Sequence, residues 1–185
     1  MPVIAASEIR GLAATSDKQL KAALGQWLDN PPRRIDRLIL QGLLAAAPLK
    51  QQVRSSCGLY LASAHPARAT MGALLEAVCV QHKQPKPFEF VNSVSNAAGF
   101  HIAQQLGMQG PNLFIGAGPQ AWSHLLALAN LDLRDGLIEQ ALLLVCDERG
   151  DFCVQAVLLE GAAEQHGAAD FARLSAGLEV QRLQL

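Results

Sequence analysis

A short stretch in the middle of the chain has the pattern of a turn that presents a catalytic side chain. An apolar run at residues 113–117 is followed by Gly118, Pro119 and Gln120, and then by a long apolar run. Because proline suits the first position of a helix, this pattern predicts a short buried strand, a sharp turn and a helix. Such elbows usually display a nucleophile at the carboxyl edge of an α/β sheet. None of these three residues can act as one, so the predicted elbow is degenerate and no catalytic residue is assigned.

Serine and histidine residues near this stretch offer only a weak alternative. Ser93 and Ser95 lack the Gly-x-Ser-x-Gly setting of hydrolases. Paired with His101 or His124, they would make a candidate triad supported by residue type alone. His124 lies within the long apolar run, and we expect it to be a hydrogen-bonded core residue.

The cysteines indicate buried, reduced thiols. Cys57, Cys79, Cys146 and Cys153 are scattered through apolar segments, without a Cys-x-x-Cys pair or histidines at metal-ligand spacing. We therefore expect a cytoplasmic protein without a metal site. No cofactor is expected either, since the glycine pair at 116 and 118 lacks the third glycine and the later acidic residue of a dinucleotide fingerprint. If the chain used a non-standard nucleophile, Cys146 or a serine would be the candidate.

Length and charge limit the remaining function classes. A chain of 185 residues with 50% hydrophobic content can bury one sizeable core, so a single domain over residues 1–185 is expected. The net charge of −1 gives no global field that would favour nucleic acid or an anionic membrane. No run approaches the roughly 20 apolar residues of a membrane span, and the N-terminus does not resemble a signal peptide.

Hydrophobic periodicity predicts alternating helices and strands. Helices are expected at 16–28, from about 32, at 67–81, 97–106 and 121–133, and strands at 57–63, 113–117, 140–146, 152–159 and 178–185. Strand 140–146 reads as a buried interior strand, with 152–159 as its antiparallel neighbour. Helix 121–133 is apolar on nearly every side. If it packs on a single sheet, about five or six large side chains stay in water, which predicts a dimer.

Three arginines gather around the predicted start of the second helix. Arg33, Arg34 and Arg37 lie where basic residues oppose the helix dipole. They are candidate contacts for a partner that presents acidic side chains and a phosphate group, which are ligands that guanidinium groups bind well. The alternative is a solvated helix face with local ion pairs to Asp29 and Asp36.

Several motifs resemble those of the β-ketoacyl synthases, which have the thiolase fold. The most specific are Gly110-Pro111-Asn112, Ala98-Gly99 and the segment 141–148, and the similarity covers about residues 31–160. A closer resemblance is to short ketosynthase-N-terminal-like proteins of aryl polyene and related pathways. It rests on Ser93, Val94, Asn96, Ala97 and Gly99, an elbow without cysteine, and a strand that ends in Asp147-Glu148.

The resemblance implies a fold class, a site and partners. It implies an α/β protein with half of a thiolase-like fold, in which a mixed, mostly parallel sheet packs with helices. The active-site cysteine of ketosynthases would fall at Pro119, or at Gly118 or Gln120 if the register shifts by one residue. The two histidines of their second half have no counterpart after residue 160 except His166. Chain-length-factor subunits also lack the cysteine. Asn96 and Gly99 would lie near a subunit boundary. The phosphate-bearing acidic partner of Arg33, Arg34 and Arg37 would be an acyl carrier protein with its phosphopantetheine group.

Together these observations predict a catalytically inactive ketosynthase-like subunit. It would assist a condensing enzyme or its carrier protein in fatty-acid or polyketide-type synthesis, as a homodimer or heterodimer. Two alternatives stay open at this stage. One is a small acyl-thioester transferase or hydrolase with a non-standard nucleophile, and the other is a homodimeric ligand-binding protein.

Overall fold

The computed structural model describes residues 3–147, 150–162 and 168–185. Its centre is a sheet of six strands in the order β3-β2-β4-β5-β1-β6. The strands are β1 (Val3–Gly11), β2 (Gly58–Ser63), β3 (Asn112–Gly116), β4 (Gln140–Asp147), β5 (Phe152–Glu160) and β6 (Val180–Gln184). β5 runs antiparallel to β4 and β1, whereas the other three neighbouring pairs are parallel. The sheet is therefore mixed and mostly parallel, as predicted.

Helices cover both faces of this sheet. They are α1 (Asp17–Leu24), α2 (Arg37–Ala46), α3 (Arg68–Leu75), α4 (Pro87–Asn92), α5 (Ala97–Leu106), α6 (Ala121–Arg134) and α7 (Phe171–Leu174). A 3-10 helix at Ala47–Gln52 follows α2, and a π-helical turn at Glu76–Val80 continues α3. In the described parts of the chain, no helix combines the length and apolar composition that crossing a bilayer requires.

Alternating side chains of the strands pack into two separate hydrophobic cores, one on each face of the sheet. Leu59 and Leu61 of β2 join the core beneath α1, α2 and α5, whereas Tyr60 and Ala62 join the core beneath α6 and α7. This alternation follows from the two-residue period of a strand. β2 and β4 are buried on both faces because helices cover each side, which explains the near-continuous apolar run of β4.

Most of the predicted elements are confirmed, and the largest error is at the N-terminus. β1 was not predicted. α1 is shorter than the predicted helix and begins after Ser16, which forms a capping box with Gln19. α2 begins at Arg37 rather than near residue 32, because Asp36 is its N-cap and accepts a hydrogen bond from Ile39 N at 2.9 Å. Arg33 and Arg34 thus lie before the helix.

Two predictions of burial are wrong. β3 was expected to be buried, but it lies at the edge of the sheet and Leu113 is 42% exposed. α6 is an ordinary amphipathic helix, with Trp122 and Leu125 packed on the sheet. On its outer side Leu131 is exposed, and His124 is exposed rather than part of the core. The apolar patch expected on α6 is therefore much smaller than predicted.

Candidate functional site

The elbow between β3 and α6 is an open turn without a nucleophile. β3 ends at Gly116, and residues 118–120 are exposed before α6 begins at Ala121. Ala121 N donates to the Gly118 carbonyl at 3.0 Å, which closes the turn. Pro119 lies in this turn, so the prediction that it opens the helix is wrong by two residues. Gly118 and Gln120 flank it, and neither glycine of the elbow adopts a positive φ.

The carboxyl ends of the parallel strands meet beside the elbow. Ser63 of β2 is in register with Gly116 on one side and with Cys146 on the other. Ser63 is 1% exposed and Cys146 is 2% exposed. The Ser63 hydroxyl accepts a hydrogen bond from His65 N at 3.2 Å. Both candidate nucleophiles at this edge are therefore packed side chains that a substrate does not reach.

The other cysteines do not supply a reactive thiolate at the elbow. Burial raises the pKa of the Cys57 thiol to about 12, and burial also raises the pKa of Cys153. Cys79 is exposed on the π-helical turn, so the prediction that every cysteine is buried is wrong for this residue.

The serine and histidine candidates do not form a triad. The Ser93 hydroxyl donates to the Phe90 carbonyl at 2.7 Å. His101 Nδ1 is buried without a hydrogen-bond partner, and burial lowers the pKa of the imidazole. His124 lies on the outer side of α6. The described hydrogen bonds connect neither histidine to Ser93 or Ser95, so nothing here activates a hydroxyl.

Two of the quoted motifs meet at one point. A Cβ on Gly99 would overlap the side-chain oxygens of Asn96 and Asn112, so any larger residue would have to displace these amides. Asn96 Nδ2 donates to the Asn112 carbonyl at 3.4 Å, and the oxygens Asn96 Oδ1 and Asn112 Oδ1 are buried without a partner. The structure thus joins the start of α5 to the start of the edge strand β3.

Gly110 allows a close approach between two backbone segments, whereas Gly99 packs against side-chain amides. Its Cα lies against the backbone of the β2 entry, where an added Cβ would be 2.5 Å from the Cys57 carbonyl oxygen. Gln109 N donates to the Ser55 carbonyl at 2.7 Å, and Leu59 N donates to the Pro111 carbonyl at 2.7 Å. The glycine and proline of the Gly-Pro-Asn motif therefore hold β3 beside β2.

The three arginines are separated by the structure. Arg33 and Arg34 are exposed in the loop before α2. Arg37 instead donates to the Thr15 carbonyl at 2.6 Å, lies 3.4 Å from an Asp17 carboxylate oxygen and stacks over the Phe152 ring. Arg37 therefore ties α2 to the turn after β1, whereas the other two remain available to a partner.

A pocket of about 340 Å³ lies between α4, α5 and the loop before α2. Because this loop carries Arg33 and Arg34, we call it the arginine loop. The pocket is lined by Arg33, Arg34, Phe88, Val91, Asn92, Val94, Asn96, Ala97, Phe100 and His101. The arginines and Asn96 were predicted to be site residues, but the aromatic lining was missed. The segment Pro87–Asn92 was not predicted to be a helix. Its closely spaced residues Phe88, Phe90 and Val91 were the signal in the sequence that could have indicated an apolar wall here.

An apolar surface surrounds this pocket. Nine large hydrophobic side chains between residues 71 and 100 are exposed, and none of the residues of α3 is buried. We call this set the α3–α5 surface: Met71, Leu75, Val78, Val80, Phe88, Phe90, Val91, Val94 and Phe100. β3 adjoins it through α5 and presents an edge whose backbone groups pair on one side only. Exposed apolar side chains concentrated in one part of the chain and an unpaired strand edge both favour association.

Two parts of the predicted motifs cannot be placed. Glu148, which follows the end of β4, and His166 lie outside the described residues. Asp147 is the last residue of β4, as the predicted strand end required.

No protein-family model matches the chain, and no curated protein sequence matches it. Solved structures do match. One is a ketosynthase (ApeO) in complex with its chain length factor (ApeC) from Xenorhabdus doucetiae, with a TM-score of 0.64 and 14% identity over 87% of this chain and 79% of that chain. Another is the ishigamide ketosynthase/chain length factor, with a TM-score of 0.64 and 15% identity over 78% of this chain and 49% of that chain.

A third structure is the AntDE:AntF complex of a type II polyketide synthase acyl-carrier protein with its ketosynthase. Its TM-score is 0.58 at 14% identity, over 83% of this chain and 54% of that chain. The chain thus spans about half the length of the second and third structures. At these identities the likeness concerns the fold, and it agrees with the motifs. The chain therefore shares its fold with these ketosynthase and chain length factor structures, which confirms the thiolase-like fold class that its motifs predicted.

Proposed function

We propose that the chain is a catalytically inactive ketosynthase-like subunit that assists a condensing enzyme in fatty-acid or polyketide-type synthesis, such as aryl polyene formation. One observation carries this proposal. The fold is that of ketosynthases, yet the elbow exposes Gly118, Pro119 and Gln120, none of which can hold an acyl chain as a thioester. The nearby thiol of Cys146 and the hydroxyl of Ser63 are buried.

Association with a full-length ketosynthase follows from the exposed surfaces. The unpaired edge of β3 can add a strand from a second chain, and the α3–α5 surface flanks it. Burying a large apolar side chain contributes roughly 1.5–3 kcal/mol from full exposure, and about half of that for side chains that start half-exposed. Nine such side chains are enough to favour a stable homodimer or heterodimer.

Arg33 and Arg34 are proposed to contact the acyl carrier protein. Both are exposed, and neither makes an ion pair with another residue that the structure describes. Exposed ion pairs contribute about 0–1 kcal/mol each. A contact of this kind is therefore weak and transient, which suits a carrier that must dock and leave. Asn96 and Gly99, beneath the adjoining pocket, are proposed to lie close to the subunit boundary.

Co-purification with matched variants tests the association. The tagged chain is captured from its own cells, and bound proteins are identified by mass spectrometry, with a condensing enzyme as the expected partner. Leu113→Lys places a charge on the exposed edge strand and is expected to abolish capture. Leu131→Lys makes the same change at an exposed site on α6 and is the control.

Three outcomes of this experiment would count against the proposal. If the Leu113→Lys variant still captures the partner, the edge strand is not part of the interface. Loss of capture with both variants, when circular dichroism shows both to be folded, would mean that the edge strand has no specific part in the interface. A stable homodimer without a condensing enzyme would favour a free-standing ligand-binding protein, which is the alternative function.

A further inference from the structure

The pocket between the arginine loop, α4 and α5 combines an apolar wall with a cationic mouth. Its wall is formed by Phe88, Val91, Val94 and Phe100, and its mouth carries Arg33 and Arg34. Pockets of about 300–1,000 Å³ with mostly apolar walls and a few convergent polar groups are typical of small-molecule sites. At about 340 Å³, this pocket is at the lower end of that range.

The Arg34 guanidinium is held at the mouth by the fold. Its backbone has a φ of 57°, a left-handed conformation that side-chain-bearing residues rarely adopt. Asn92 Nδ2 stabilises this conformation by donating to the Arg34 carbonyl at 2.9 Å, and the guanidinium carbon lies 5.2 Å from the centre of the Phe88 ring. A strained residue held by a buried side chain is a feature that recurs at ligand sites.

We propose that this pocket binds a small amphipathic carboxylate, namely an acyl or aryl acid with a compact apolar chain. The carboxylate would lie against the Arg33 and Arg34 guanidinium groups, which suit its planar, bidentate geometry. The apolar chain would lie along the Phe88 and Phe100 rings. Charge complementarity selects this ligand class, because the pocket mouth carries two cations and the described lining residues include no carboxylate. The inference concerns the isolated chain, because the four apolar wall residues also belong to the α3–α5 surface that a partner would bury.

Calorimetric titration of the isolated protein separates the contribution of the ligand's charge from that of its hydrocarbon chain. Octanoate carries both features, octanamide has the chain without the charge, and acetate has the charge without the chain. We expect saturable binding of octanoate, binding about tenfold or more weaker for octanamide, and none for acetate. Arg34→Gln should weaken octanoate about tenfold and leave octanamide unchanged. Arg134→Gln, on α6 at the other face of the sheet, should leave both ligands unchanged.

A second measurement locates the site. Octanoate should shift the NMR resonances of the His101 and Phe100 rings, and the shifts should saturate with the calorimetric affinity. Equal binding of octanoate and octanamide would overturn the proposal, as would saturable binding without these shifts. Self-association that excludes octanoate would overturn it too and would assign the pocket to a second copy of the chain. If co-purification fails while octanoate binds, the association proposal fails alone.

Discussion

Replacing Gly110 with alanine tests whether the Gly-Pro-Asn motif acts through the backbone. A methyl group at this position would lie 2.5 Å from the Cys57 carbonyl oxygen and 2.9 Å from Gly58 N. Both are backbone atoms at the start of the central strand β2, so they cannot rotate away as the end of a side chain could. Relief of the overlap requires β3 to move away from β2.

The cost of that movement can be estimated from the bonds it strains. Overpacking against a rigid neighbour costs about 1–3 kcal/mol. Two backbone hydrogen bonds, Gln109 N to the Ser55 carbonyl and Leu59 N to the Pro111 carbonyl, flank the overlap and would lengthen. A net contribution of about 1 kcal/mol for each bond brings the expected loss to about 3 kcal/mol or more. A loss of this size is a large part of the roughly 5–15 kcal/mol that stabilises a domain.

Urea unfolding followed by circular dichroism measures this loss. At about 1–3 kcal/mol per molar urea, the midpoint for Gly110→Ala should fall by roughly 1–3 M. Gly118→Ala is the matched control, because an added Cβ there meets no atom within 4 Å and its φ is not positive. The control should be neutral, or stabilised by up to about 1 kcal/mol through the unfolded state. Equal midpoints for the two variants would refute the structural explanation of the motif.

Two further predictions concern thiol reactivity and acid stability. Cys79 should react first with a disulfide reagent at neutral pH, because it is exposed, while burial raises the pKa of Cys57 to about 12; equally fast labelling of Cys57 in the folded chain would contradict this. The Arg10 hydrogen bond holds the pKa of Glu8 below 4.5, so the folded state binds fewer protons than the unfolded state. This stabilisation is present above pH 4.5 and is lost as pH falls through the folded pKa, so the urea midpoints of wild type and Glu8→Gln should converge as the pH is lowered below 4.5. A difference that stays constant with pH would contradict the assignment.

Hydrophobic periodicity predicted correctly those helices and strands whose buried positions hold large apolar residues. β2, β4 and α5 carry enough large apolar residues for their faces to be read directly. β1 was missed because its interior holds Ala5, Ala6, Ser7 and Glu8, which are small or polar. The Ser7 hydroxyl donates to the Ala45 carbonyl, and such a partner on another element cannot be inferred from the sequence.

Only those features of the candidate site that depend on residue type could be predicted from the sequence. The missing nucleophile and the importance of Asn96, Gly99 and Gly110 followed from residue types and the resemblance. The pocket depends on how α4 and α5 approach the arginine loop, and no local pattern encodes that approach. Exposure was misjudged for α6 and β3, because burial depends on which elements lie beside each other in the folded sheet.

Intact-mass spectrometry after exposure to an acyl carrier protein thioester tests the central claim most directly. The chain is incubated together with the condensing enzyme that it captures, and the mass of each polypeptide is measured. We expect the condensing enzyme to gain the mass of the acyl group while this chain keeps its own mass, because the elbow at Gly118, Pro119 and Gln120 offers no nucleophile. An acyl group bound covalently to this chain would contradict the account and would favour a thioester enzyme with a non-standard nucleophile.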